Sequence, residues 1–350
     1  MTRGIIILEG PDGAGKTTLA RQVMERYEKE TGVTPCYMHG RPRRNVWPWY
    51  VASLRRAARE SLRRLVVVDR HWVSECIYGT VLRNGPAFGA NARALHRHWL
   101  HLGAFYVLCA PDAEFIVGEH VGLMRGREEL VKKLDHVRDI ATRYVDLVKG
   151  SVVRDPQGDY VEQLSNQGGV KGHANWYHYD REREREMSPR LPKTLLELAR
   201  VRFERTRENT LPWGQVTGSP TATVALVGDA SKSGGISPPF LSSGPSPSYL
   251  NETLHSRVIP EGLISLVNAN DFVTDEYLFN TLKPFKRVVA LGGKAADRLI
   301  VVGRRPDVAV RHPKFARRFQ QYGDYSHELE AAIFGRSHPS MAHIASQGAG

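Results

Sequence analysis

The chain has 350 residues, with 49 Lys and Arg against 37 Asp and Glu, a formal charge of +12 and a pI near 9.7. That length suffices for two domains that each bury a core, and the charge favours a polyanionic partner, an excess that a small substrate does not require. Cys36, Cys76 and Cys109 lack metal-ligand spacing and read as reduced core thiols. No apolar run approaches the ~18 residues of a membrane span and no signal peptide precedes the first strand, so the expected location is the cytoplasm.

The first element is the apolar run Gly4 to Leu8, a buried strand. It enters Gly10-Pro11-Asp12-Gly13-Ala14-Gly15-Lys16-Thr17, a full match to Gly, four residues, Gly-Lys-Ser/Thr. A polyphosphate must be wrapped by several backbone N–H groups at once. Glycines permit that tight path, and the N-terminus of the following helix adds positive potential. Lys16 is then placed to reach the β- and γ-phosphates and Thr17 to hold Mg²⁺. The helix runs from Thr17 to Lys29, with Leu19, Val23, Met24 and Tyr27 on its apolar side.

Thr34 to His39 reads as a second short strand, followed by Gly40-Arg41-Pro42-Arg43-Arg44-Asn45 and then Trp47, Trp49 and Tyr50. Loops after strand C-termini form the crevice of an open α/β sheet. Two readings of the three aromatic residues stand: stacking on a base, or packing the start of the next helix. Arg64 to Val68 is a third strand, ending on Asp69-Arg70. There Asp69 is placed to hold Mg²⁺ through water and Arg70 to grip an acceptor. A fourth strand, Phe105 to Ala110, precedes the helix-start signal Pro111-Asp112-Ala113-Glu114. Arg125 and Arg127 then sit where a mobile arginine-bearing segment would neutralise charge on a transferred phosphoryl group. Val131 to Leu147 has the spacing of an amphipathic helix.

Glu9 to Thr18, the Asp69-Arg70 pair and the Arg125/Arg127 segment with its following helix resemble the thymidylate kinase family over about residues 1–155. The resemblance is greatest to the bacteriophage 5-hydroxymethyluracil DNA kinases. It implies a parallel five-stranded sheet flanked by helices, ATP as donor, Mg²⁺, and a thymidine-type acceptor. Lys16, Asp69, Arg70, Arg125 and Arg127 would be catalytic, Gly10 to Thr18 would hold the nucleotide, and Thr17 and Asp69 the metal. The family's Arg-Glu-Pro-Gly stretch after the second strand is replaced here by Gly40-Arg41-Pro42-Arg43-Arg44 with no acid. That argues against free dTMP as acceptor.

Residues 156–215 read as a connector, with an aromatic and histidine-bearing excursion around Trp176 to Tyr179 and one helix through Leu195 and Phe203. His173 and His178 lack a third ligand for zinc. From 216 to 338 a second open α/β unit is expected, with strands at Thr223 to Val227, Leu263 to Val267 and Arg287 to Leu291 and no second P-loop. Gly228-Asp229-Ala230, Pro239-Phe240-Leu241, Ser243 to Ser246, Asn268-Ala269-Asn270, Val289 to Ala296 and His312-Pro313 are similar in order and spacing to the uracil-DNA glycosylase superfamily. The resemblance implies that the Asp229 and Asn268 region faces a base pocket and that His312 lies at the minor-groove or phosphate side. The first piece lacks the superfamily's glutamate and proline-glycine, so the expectation is a module that recognises DNA or a base without the usual glycosidic chemistry. Arg304, Arg305, Arg311, Lys314, Arg317 and Arg318 add a basic face. Residues 339–350 read as a disordered tail.

Three functions remain open on these grounds: a kinase acting on a hydroxymethyl group of a pyrimidine in DNA, a thymidylate kinase with a fused domain, and a DNA glycosylase with an accessory P-loop unit. No general base stands out beyond Asp12 and Asp69.

Overall fold

The computed structural model describes residues 3–40, 46–85, 91–124, 133–149, 176–181, 190–209, 216–218, 222–230, 240, 245–272 and 274–337. The chain divides into two units, Met1–Glu208 and Asn209–Gly350.

In the first unit, β1 (Gly4–Glu9), β2 (Cys36–His39), β3 (Leu65–Asp69), β4 (Ala104–Cys109) and β5 (Trp176–Tyr179) form one sheet in the order β2-β3-β1-β4-β5. All four pairings are parallel. Ile5 to Leu8, Leu65 to Val68 and Ala104 to Val107 are buried, as continuous apolar strands covered on both faces must be. The helices are α1 (Lys16–Thr31), α2 (Trp47–Glu60), α3 (Trp72–Arg83), α4 (Ala92–His101), α5 (Ala113–Met124), α6 (Leu134–Lys149) and α7 (Leu191–Asn209). Among them, α3 packs on α4 and α6, and α5 on α6. Asp112 Oδ1 accepts from the Glu114 N–H at 2.9 Å and starts α5, as its position before the helix suggested. The three cysteines are free and buried. No helix among the described residues is long and apolar enough to cross a membrane.

The structure differs from the sequence reading at Trp176–Tyr179. This segment is not part of a connector but the edge strand of the first sheet, paired with β4 from Tyr106↔Trp176 to Cys109↔Tyr179. The first unit therefore continues past residue 155 and includes α7, whose Ala199 packs where a side chain at Gly4 would stand. Four aromatic and histidine residues carry no apolar run to announce a strand, and the pairing that makes them one is with a segment 70 positions earlier.

In the second unit, β6 (Val216–Gly218), β7 (Val224–Gly228), β8 (Ile264–Asn268), β9 (Arg287–Leu291) and β10 (Val308–Val310) form a sheet in the order β10-β9-β7-β8-β6. Only β6 runs antiparallel. Its strands show the two-residue alternation of a sheet buried on both sides. Leu226, Leu266 and Val289 pack with α8 (Pro245–Ser256), α11 (Pro313–Arg318) and α12 (Tyr322–Phe334). Ala225, Val227, Val267 and Val288 pack on the other face with α9 (Asp275–Leu282) and α10 (Gly293–Val301).

Candidate active site

The P-loop leaves β1, the strand on either side of which the sheet is extended in opposite directions, and that is where an open parallel sheet forms its crevice. Gly10 must be glycine: a Cβ there would lie 2.1 Å from the carbonyl oxygen of Cys109. Gly13 and Gly15 adopt left-handed φ values of 83° and 82°, which turn the chain into α1. Lys16 is buried, its Nζ donating to the Pro11 carbonyl at 2.5 Å. Burial, with the Arg70 charge adding to it, pulls its pKa down to about 8. Thr17 and Thr18 are exposed on the first turn of α1.

Parallel pairing sets Asp69, the last residue of β3, opposite Leu8 and His39. Thr17 Oγ1 donates to Asp69 Oδ2 at 2.8 Å and the Tyr37 hydroxyl donates to the same oxygen at 2.9 Å. His39 Nδ1 lies 3.4 Å from it. Asp69 Oδ1 is buried and has no hydrogen-bond partner among the described residues. A buried carboxylate oxygen left bare beside a threonine hydroxyl is a donor set for a hard cation or its water, and the pair fits Mg²⁺.

Arg70 follows in a left-handed conformation, φ 70°, unusual for a side chain of that size. Its guanidinium pairs with Asp12 and lies 5.2 Å from the centre of the Tyr78 ring. The Tyr78 hydroxyl donates to Asp12 Oδ2 at 2.9 Å and accepts from the Asp12 N–H at 3.1 Å. Burial alone would push the Asp12 carboxyl up, but Arg70 and Lys16 outweigh it and hold it below the usual carboxylate range. Gly40 permits the turn: a Cβ there would meet the Arg70 carbonyl oxygen at 2.6 Å and Trp49 at 3.2 Å.

Glu9 fastens this turn from below. Its carboxylate accepts from the N–H groups of His71 (2.9 Å), Val73 (3.2 Å) and Ser74 (3.1 Å) and from Ser74 Oγ (2.5 Å), so a side chain of β1 caps α3. Burial raises its pKa to about 7, against those hydrogen bonds and the charges of Arg70 and Lys16. His71 is buried, and burial depresses its pKa well below the usual value. Trp99 Nε1 donates to His71 Nδ1 at 3.0 Å, so in the neutral ring Nε2 carries the proton and donates to Ser53 Oγ at 2.8 Å.

The aromatic residues of α2 divide between the two readings. Tyr50 is buried and its hydroxyl donates to the His71 carbonyl, which is packing. Trp49 is half-buried against Gly40, its ring 5.5 Å from that of His71. Of the residues read as catalytic, Lys16, Asp69 and Arg70 come together with the whole P-loop, while Arg125 and Arg127 lie outside the described residues, as do 41–45 and His173. Tyr37, Tyr78 and Arg181 were not anticipated. For Tyr37 a signal existed, since it and His39 are two apart on one strand face. Arg181 lies just beyond β5 and donates to Gly13 O at 2.9 Å and to Glu119 Oε2 at 2.8 Å. His178 Nε2 lies 2.9 Å from Ala110 O, a structural use of that ring.

The second unit gathers its marked residues at the C-terminal ends of its parallel strands. Asn270 donates through its backbone N–H to Asp229 O (2.8 Å) and through Nδ2 to Asp229 Oδ1 (2.6 Å). Asn268 Nδ2 donates to Asp271 Oδ2 at 3.0 Å. Phe240 covers Gly228, where a Cβ would meet its ring at 2.9 Å and Asn268 Oδ1 at 3.0 Å. His312 Nδ1 accepts from the Lys314 N–H at 3.1 Å and caps α11. Burial lowers its pKa, opposed by nearby Asp229.

Fold and motif together define the first unit as an α/β P-loop unit with its phosphate loop, lysine, threonine and strand-end aspartate in one crevice. No family model and no curated protein matches the chain. Among solved structures, the YorR protein of Bacillus subtilis, in complex with phosphorylated GDP, is similar at 18% identity and a TM-score of 0.37, covering 57% of this chain and 97% of its own. At that level the likeness adds nothing to what the strand order already shows.

Proposed function

We propose that the chain is an ATP-dependent phosphotransferase that phosphorylates the hydroxymethyl group of 5-hydroxymethyluracil in DNA, a step of bacteriophage thymidine hypermodification. The observation that carries the donor half of this reading is the bond from Thr17 to Asp69 beside the bare Asp69 Oδ1, directly at a complete P-loop. The N–H groups of residues 13–17 would wrap the phosphates. Lys16 would exchange the Pro11 carbonyl for the β- and γ-phosphates, and Arg70 would orient the acceptor. Arg125 and Arg127 are assigned to the transferred group by sequence position alone. Thr17 and Asp69 would hold Mg²⁺, which when bound would supply charge neutralisation to the phosphates. The acceptor hydroxyl oxygen forms its bond to the γ-phosphorus as the bond to the bridging oxygen breaks and ADP leaves. Asp12 and Asp69 both stand as acceptors of the hydroxyl proton: Asp12 is ionised but engaged by Arg70 and Tyr78, Asp69 is engaged by Thr17 and Tyr37 through one oxygen only, and a loose transition state asks little of the base.

Support for DNA as acceptor comes from the charge of +12, the missing acidic stretch after β2 and the second unit. Asn268, Asp229, Phe240 and His312 supply hydrogen-bonding and stacking groups suited to a base taken out of a duplex. On α11 and at its C-cap the exposed rings of Phe315 and Phe319 lie 4.4 Å apart beside Lys314, Arg317 and Arg318, a surface suited to bases and phosphates. The test is to incubate the protein with γ-labelled ATP and, separately, dTMP, plain DNA and DNA bearing 5-hydroxymethyluracil. Label is expected in the modified DNA; label in dTMP alone would establish a thymidylate kinase instead.

A further inference from the structure

We infer that Arg181 is a positioning residue of the donor site, holding the P-loop in the shape that presents its N–H groups to a polyphosphate. The inference rests on the first unit binding ATP. The Ala14 N–H and the Lys16 ammonium both point at the Pro11 carbonyl, at 3.4 and 2.5 Å, so they face the inside of the loop. The Gly13 carbonyl belongs to the same peptide as that N–H and points the other way. Arg181 Nη1 takes it at 2.9 Å.

That contact matters because of where it falls. A peptide flanked by a left-handed glycine rotates at little cost, and rotation here would replace an inward N–H with an inward carbonyl oxygen, repelling the anion. Arg181 makes the outward carbonyl the favoured state. The side chain is itself fixed: Nη1 also donates to Glu119 Oε2 at 2.8 Å, and its Cδ lies 3.0 Å from where a Cβ on Gly15 would be. A Cβ on Gly13 would in turn lie 3.3 Å from Glu119 Cβ, so α5 and the residue beyond β5 close on the loop from outside. The edge strand β5 thus has a use beyond completing the sheet, which is to deliver this arginine.

Titration calorimetry of the full chain with MgATP tests this. Arg181→Met is expected to weaken binding about tenfold, the worth of one hydrogen bond to a charged group. Its thermal midpoint should stay within about 3 °C of the wild type. Arg181→Lys, which keeps a cation able to donate to Gly13 O, is expected to recover much of the loss. Equal affinity in Arg181→Met overturns the inference, and so does a loss that Lys fails to rescue or that comes with a matching fall in the midpoint. If the wild type itself binds no MgATP, the kinase reading falls and takes this one with it.

Discussion

The two units share a plan and fill it differently. Each is a mainly parallel sheet whose first parallel strand lies inside, with later strands added on both sides, and each collects polar side chains at the C-terminal ends of those strands. In the first unit these side chains are locked to one another: Asp69 to Thr17 and Tyr37, Asp12 to Arg70 and Tyr78, and Glu9 to the start of α3. In the second, Asn268 bonds to Asp271 and His312 to the helix it caps, both within a few positions, and Asn270 reaches Asp229 from the neighbouring strand end. A site that moves a phosphoryl group has to fix opposite charges before the substrate arrives, since preorganised charge is what stabilises the transition state. A site that recognises a base needs only hydrogen-bonding groups and a stacking surface in the right places. Under the proposed function the first edge serves transfer and the second recognition, and mutations test that division.

The largest effect is expected from Lys16→Ala, which should lower phosphoryl transfer on the order of a thousandfold while leaving DNA affinity unchanged. A parallel loss of DNA affinity would mean that the two edges are not separable. Gly10→Ala should act on the fold instead. Its methyl group would be driven against the Cys109 carbonyl, and urea unfolding is expected to show a loss of about 3 kcal/mol in the first unit. An unchanged midpoint would show that the loop can move aside.

Asn268→Ala is the counterpart in the second unit, expected to weaken binding to modified DNA about tenfold and to leave ATP affinity untouched. The smallest effect concerns protons. Lys16 is held at about pH 8, below its ordinary value of 10.5, first by burial and then by Arg70. With a folded pKa below the unfolded one, this group's contribution to stability is present above pH 10.5 and is lost as pH falls through about 8. A bound polyphosphate would restore the charged form, so binding near pH 8 should take up a fraction of a proton, falling towards zero at about pH 6. Calorimetry in buffers of different ionisation enthalpy measures this, and proton release at pH 8 would contradict it.

What the sequence disclosed follows from how local each signal is. The P-loop is eight consecutive residues, and β1, β3 and β4 are apolar runs, so all were legible. The Asp69-Arg70 pair was legible because it ends such a run. Tyr78 and Glu9 were not, because their roles come from partners more than 60 positions away, and helix or strand periodicity says nothing about those. Arg181 was hidden more deeply, since it depends on β5, which the residues do not announce. In the second unit Asp229, Asn268 and His312 were placed by order and spacing, and the strand ends do bring them to one edge. The packing of Phe240 on Gly228 emerged only from the structure.

The account depends most on Thr17 and Asp69 completing a magnesium-dependent triphosphate site at the P-loop. Its most direct test is the affinity for ATP with and without Mg²⁺, in the wild type and in Asp69→Asn. The account predicts that Mg²⁺ tightens binding to the wild type by about tenfold or more and has little effect on the variant. The same magnesium dependence in both proteins, or no binding of ATP to the wild type, would contradict it.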